Sequence, residues 1–362
     1  MKSKYTLFIS TLVCAAVFMN GCKKHDPYLD DYAATPYTLD IPQGFPQMEI
    51  PENNPMTVEG VELGRKLFYD EILSLDYSIS CGSCHAPNSS FSDTAQYSKG
   101  VNGTLGNRQA MPLINLGYSY GFFWDGRAGT LEEQILAPVP NPVEMHLEWT
   151  EAVTRLQNHS SYPYLFKKAF NTYEISKELV AKAVAQFLRT MISGNSKFDK
   201  VLHLEESFTV EESIGYDLFM RDKDEGAGII GGDCFHCHPA PIYFQLNTDY
   251  LNNGLDASFS DLGRGQFTGN VNDNGKFKIP TLRNIELSYP YMHDGRFATL
   301  EQVVEHYSSG LQNSPTISPL MKEVDNGGLL LPPYEKSCIV AFLKTLTDMD
   351  FVNNPNFQDP GN

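Results

Sequence analysis

Two pentapeptides in this chain repeat one pattern of reactive side chains: Cys81-Gly82-Ser83-Cys84-His85 and Cys234-Phe235-His236-Cys237-His238. Two thiols three positions apart, followed at once by an imidazole, can form thioethers to both vinyl groups of a porphyrin and give its iron a nitrogen ligand. The pattern predicts two covalently bound c-type haems, one on Cys81, Cys84 and His85, the other on Cys234, Cys237 and His238. Paired Cys-X-X-Cys segments also build tetrahedral zinc sites, but here the ligands would have to come from opposite halves of the chain. His236 lies inside the second motif and is read as a neighbour of the iron, because the residue after the second cysteine is the ligand. Such cofactors carry redox chemistry that ordinary side chains cannot perform.

The rest of the chain is consistent with that chemistry outside the cytoplasm. Lys2 and Lys4 precede an apolar run from Tyr5 to Met19, and Asn20-Gly21-Cys22 follows. This layout predicts an export signal over residues 1–22 ending in a lipobox, with a lipid on Cys22 and the mature protein on the periplasmic side of the envelope. A chain anchored in this way sits on a membrane surface and does not cross it. Plain signal cleavage without a lipid is the alternative. Of the seven cysteines, Cys14 leaves with the signal, Cys22 carries lipid, four hold haem, and Cys338 remains. Cys338 lies on an apolar helical face and reads as a buried structural thiol. No pair is left for a disulfide.

Loss of Lys2 and Lys4 takes the net charge from −17 to −19. This argues against nucleic acid as a partner and against simple attraction to anionic lipid. It suits either a basic electron-donor protein steered onto an acidic face or solubility alone.

The elements that must position the motifs occur twice. Leu63-Gly64, Leu67-Phe68, the first haem motif, Trp124-Asp125-Gly126-Arg127 and Thr130-Leu131-Glu132-Glu133 form one series. Ile214-Gly215, Leu218-Phe219, the second motif, His293-Asp294-Gly295-Arg296 and Thr299-Leu300-Glu301-Gln302 form the other. The common order indicates an internal duplication. Thr130 and Thr299 each open a capping box, so each Asp-Gly-Arg turn feeds a helix. Leu179, Val180, Ala183, Val184, Phe187, Leu188 and Met191 recur at helical spacing between Ser176 and Ser193, with Gly194 as the stop. Sustained alternation is rare. The expected architecture is all-α: two homologous haem domains, at 56–205 and 206–352, with long loops. A tether and irregular arm over 23–55 precede them, and a tail over 353–362 follows.

From about Asn54 to Asp348 the chain resembles the bacterial di-haem cytochrome c peroxidases and their MauG-like relatives. The matching segments include Leu63–Asp70, Phe123–Arg127, Pro142–Met145, Ile279–Asn284 and Pro290–Glu301. The resemblance implies two cytochrome-c-like haem domains, in which the N-terminal haem reacts with peroxide and the C-terminal haem transfers electrons. It implies further that Glu144 is the catalytic acid and base, that Gln134 hydrogen-bonds the bound oxygen, and that Trp124 lies between the haems. A carboxylate over the distal face can take a proton from one peroxide oxygen and return it to the other. The family's calcium site maps onto Gln109, Ser288 and Pro290; Gln109 stands where an asparagine is usual, with a longer amide that still offers an oxygen. Arg108, Arg127, Arg283 and Arg296 are candidates to pair haem propionates.

Two departures from the family pattern stand out. The position of the histidine that caps the first haem in many members is Val101 here, and no histidine lies between His85 and His146. A first haem open without prior reduction is therefore expected. The second haem's far ligand is a methionine in electron-transfer members, and the matching position here is Tyr307, as in MauG-like enzymes. His306, Met292 and Met321 are the competitors. A tyrosinate would favour higher iron oxidation states than a thioether.

The leading expectation is an exported cytochrome-c peroxidase that reduces hydrogen peroxide to water with electrons from a small redox protein such as cytochrome c. The alternative is a MauG-like enzyme that oxidises residues of a partner protein through a high-valent iron state. A plain electron carrier is the third reading, opposed by Glu144, Gln134 and the missing cap. The sequence leaves the oligomeric state open, with a homodimer as one arrangement.

Overall fold

A computed structural model describes residues 33–224, 226–240 and 249–361. The export signal, Cys22 and the start of the tether lie outside the described residues. Helices dominate: α1 (Val58–Tyr69), α2 (Cys81–Cys84), α3 (Leu131–Leu136), α4 (Trp149–Asn158), α5 (Tyr162–Phe170) and α6 (Lys177–Thr190). After them come α7 (Lys197–Leu202), α8 (Val210–Phe219), α9 (Arg264–Thr268), α10 (Leu300–Ser309), α11 (Pro333–Lys344) and α12 (Met349–Val352). Among the described residues the named strands are a two-residue antiparallel ribbon, β1 (Tyr250–Leu251) and β2 (Phe277–Lys278). The helical class holds, with this ribbon as a small addition.

The helix starts follow the local chemistry of their first turns. Thr57, Thr130, Ser176, Thr209 and Thr299 each accept a backbone N–H of the turn they cap, and reciprocal capping boxes close α3, α8 and α10. The predicted helix after Ser176 ends at Thr190, before Gly194.

Two helix pairs supply the two main cores: α1 packs on α6, and α8 on α11. At each crossing a glycine lets the backbones meet. A Cβ on Gly64 would lie 1.9 Å from the Ala183 carbonyl oxygen, and one on Gly215 would lie 1.9 Å from that of Cys338. No side chain fits there. Phe187 and Phe342 occupy matching places beside these contacts. The first cluster gathers Leu63, Leu67, Phe68, Val184 and Phe187; the second gathers Leu218, Phe219, Val304, Ile339 and Phe342. Cys338 is fully buried in the second, as a structural thiol should be.

The chain also ties these cores to each other. Phe198 of α7 buries in the second cluster, whereas Phe351, Val352 and Phe357 near the C-terminus bury in the first. Tyr69 Oη donates to the Phe357 carbonyl at 2.6 Å, and Arg65 Nε to that of Gln358 at 2.7 Å. Residues 33–55 precede the first helix, and Phe45 and Met48 pack with Tyr118 in a third, smaller cluster. Long loops between the core helices carry the remaining motifs to the walls of two cavities.

Candidate haem cavities

Cys81, Cys84 and His85 line the first cavity. They sit on α2 and its C-cap, and Ser80 opens that single turn in a reciprocal capping box with Ser83. The imidazole is oriented from behind: His85 Nδ1 lies 2.9 Å from the Phe91 carbonyl oxygen. That carbonyl can only accept, so the pair places the proton on Nδ1 and leaves Nε2 with a lone pair for a metal. Burial holds the His85 pKa below the usual range, which also favours the neutral ligand form.

Glu144 and Gln134 line the same cavity. Gln134 comes from α3. Glu144 comes from a turn knotted by backbone bonds, with Glu144 N donating to Asn141 O and Val101 N donating to Glu144 O. Asn141 Nδ2 donates to Glu144 Oε1 at 2.6 Å. Burial raises the carboxyl pKa, while the Asn141 bond and the charge of Arg127 pull it back. Val101 is buried and absent from the lining, and among the lining residues His85 is the one histidine.

Cys234, Cys237 and His238 line the second cavity with Tyr307, Met292, Met321 and His293. Tyr307 projects from α10 and receives a hydrogen bond from Asn253 Nδ2 at 3.2 Å. Burial pushes its phenol up to about 12, so a phenolate there requires a metal cation beside it. His306, one position back, turns away: it does not line the cavity, and its Nε2 lies 3.3 Å from the Asn253 carbonyl. The fold separates these neighbours as helical geometry demands. His236 also faces away, pairing with Asp233 and Asp222.

Four residues line both cavities: Gln109, Pro112, Trp124 and Lys278. Trp124 is buried, and its indole Nε1 donates to the Gln109 carbonyl at 2.8 Å. Lys278 N in turn donates to Trp124 O at 2.7 Å, so β2 fixes the indole's backbone. Gln109, Ser288 and Pro290 all lie along the second cavity. Gln109 Nε2 donates to Ser92 Oγ at 2.8 Å and Asp93 O at 3.1 Å. A cation would have to use its side-chain oxygen.

The arginines divide. Arg108 and Arg127 line the first cavity, both paired with Asp125. Arg283 and Arg296 line neither, which corrects the expectation that they pair propionates. Arg283 is fully buried in a two-pronged contact with Asp199 at 2.5 and 2.8 Å, and Arg296 is held by Asp256 and Asp294. An arginine locked to a carboxylate in the core is structural.

Sequence reasoning passed over Asn141, Asn253 and Lys278. Asn141 carries a signal in its Pro-Asn-Pro turn. Lys278 carries one as a cation set between the apolar Phe277 and Ile279-Pro280. Asn253 carries none.

Both triads fit a covalently held porphyrin. The cysteines form no disulfide, and the thiols share an apolar cavity with the imidazole that follows them. Burial pushes Cys81 and Cys234 up to about 12 and Cys237 up to about 11, so with no cofactor attached these thiols are protonated. The pairs also line different cavities.

The profile of a family described as di-haem cytochrome c peroxidase matches residues 58–207. The MauG methylamine utilization protein of Methylorubrum extorquens is 35% identical over 326 residues, covering 89% of this chain and 86% of that protein. The chain belongs to the di-haem cytochrome c peroxidase family. The cytochrome c551 peroxidase of Nitrosomonas europaea is 36% identical over 315 residues, 86% of this chain and 84% of that one. Among solved structures, a MauG-like protein associated with microbial copper homeostasis superposes with a TM-score of 0.80 at 33% identity, covering 90% of this chain and 99% of that one. A diheme peroxidase from Burkholderia thailandensis shares the fold, with a TM-score of 0.69 at 20% identity, covering 91% and 99%. This family thus includes both peroxidases and MauG-like proteins.

Proposed function

We propose that this chain is an exported peroxidase with two c-type haem domains related by duplication, which reduces hydrogen peroxide to water with electrons from a small redox protein such as cytochrome c. The observation that carries the reading is the first cavity's wall, where Glu144 and Gln134 share the space with Cys81, Cys84 and His85 and no second histidine.

Cys81, Cys84 and His85 would hold one haem, and Cys234, Cys237, His238 and Tyr307 the other. When bound, the haems supply the electron uptake and release that peroxide reduction requires: two electrons and two protons convert one peroxide to two waters. Glu144 takes the proton of one peroxide oxygen and delivers it to the other, which leaves as water. Asn141 aims the carboxylate by holding one of its oxygens. The Gln134 amide is the hydrogen-bond donor for the oxygen atoms. Trp124, in both walls, is the aromatic path between the cavities.

The domain division at 205 and 206, a lipid on Cys22 at the periplasmic membrane surface, and a calcium ion on oxygens of Gln109, Ser288 and Pro290 belong to the same proposal. Tyr307 in the second cavity supports a second reading, a MauG-like oxidation of residues on a partner protein.

Stopped-flow mixing of the oxidised, haem-loaded protein with stoichiometric peroxide, then with reduced cytochrome c, separates the readings. A fast optical change quenched at once by cytochrome c supports the peroxidase. A change that outlasts added cytochrome c supports the partner-protein enzyme. No change before pre-reduction would overturn the open first site.

A further inference from the structure

Most charged side chains lining the two cavities have a partner of opposite charge; Glu144 and Lys278 are held by neutral groups instead. Of the carboxylates, Asp125 is taken by Arg108 and Arg127, Glu144 by Asn141, Asp233 by Lys322 and His236, and Glu323 by Lys223. The same bonds occupy every lysine and arginine in the linings except Lys278, the one cation common to both. Its Nζ donates to the Gly121 carbonyl at 2.6 Å, and the Phe122 ring lies 5.5 Å away. No carboxylate is within ion-pair distance of it among the described residues. An ammonium has three donors, and one carbonyl satisfies one of them.

A half-buried cation without a counter-ion is costly. Burial already pushes Lys278 down to about 8. The ribbon nevertheless holds it in place: Lys278 pairs with Tyr250 across β1 and β2, and its backbone N–H is tied to Trp124. A cation anchored so firmly, with no carboxylate to neutralise it among the described residues, suits an anionic group of a bound cofactor. A porphyrin in either cavity would carry two propionate carboxylates, of the charge Lys278 can pair with, and Lys278 lines both cavities.

We propose that Lys278 receives a haem propionate at the wall common to both cavities and keeps that haem's reduction potential high. A fixed positive charge beside the macrocycle favours the reduced state, which carries one more negative charge. The inference rests on the two-haem reading above and adds a residue to it.

The test is spectroelectrochemical titration of the full haem-loaded protein as wild type, K278M and K278R, after mass spectrometry has counted the haems. The expected result is two haems in each protein, a lower midpoint potential for at least one haem in K278M, and return toward the wild-type value in K278R. Two haems in K278M with both potentials unchanged would overturn the role of Lys278 alone. A wild-type chain without two haems would overturn the two-haem reading itself. If K278M fails to load, loading of K278R with wild-type potentials supports the proposal, and failure of K278R as well overturns it.

Discussion

Glu144→Gln is the most informative perturbation, because it changes the chemistry of the first cavity and little of its shape. The carboxylate accepts from Asn141 Nδ2 at 2.6 Å, and the amide oxygen of glutamine can accept the same bond. What disappears is the ability to take a proton. A positioned acid–base group contributes about 10²–10⁴-fold to rate, equivalent to roughly 3–5 kcal/mol of barrier at 1.36 kcal/mol per decade. The second-order rate of the oxidised protein with peroxide, followed by stopped flow, should fall by that factor while haem content stays constant. The pH profile gives a second reading. Burial holds the Glu144 pKa above its usual value, so the acid form persists to higher pH than for a surface glutamate. The wild-type rate should therefore decline as pH falls through that raised pKa, and the E144Q profile should lose this limb. Removing the Asn141 amide takes away a bond to the charged form, so Asn141→Ala should move the limb to still higher pH. A wild-type rate in E144Q, or an unchanged limb, would remove Glu144 from the proton transfer.

Arg283→Met leaves Asp199 buried without its partner and should destabilise the protein by about 3–5 kcal/mol, read as a loss of thermal or denaturant stability with normal peroxide chemistry per haem. The Asp199 pKa is depressed in the folded protein, so its stabilisation is present above the unfolded value and vanishes as pH falls through the folded one; acid titration of stability should show this window shrink in the variant. Tyr307→Phe should change the optical and magnetic spectrum of the second haem alone, and an identical spectrum would give the ligand role to Met292 or Met321. Cyanide should bind the oxidised protein at the first site without prior reduction, since His85 is the one histidine in that wall. Slow or absent binding would mean that another residue occupies the site.

The sequence by itself determined what is local. Each Cys-X-X-Cys-His turn brings thiols and imidazole together within five residues, and each Thr-X-X-Glu or Thr-X-X-Gln box sets a helix start, whatever the rest of the chain does. The close crossings at Gly64 and Gly215 were marked by paired Leu-Gly and Ile-Gly segments, although the backbone contact that demands glycine lies over a hundred positions away. Only the tertiary structure decided which charges meet. Arg283 and Arg296 read like Arg108 and Arg127 in sequence, and the fold sends the first two to Asp199 and to Asp256 with Asp294, away from the cavities. It also put the C-terminal Phe351 and Phe357 into the first core and Lys278 into the wall shared by both cavities. Pairing of charges and sharing of walls depend on distances between segments remote in the chain. Neither composition nor spacing encodes those distances; close packing of the whole chain sets them.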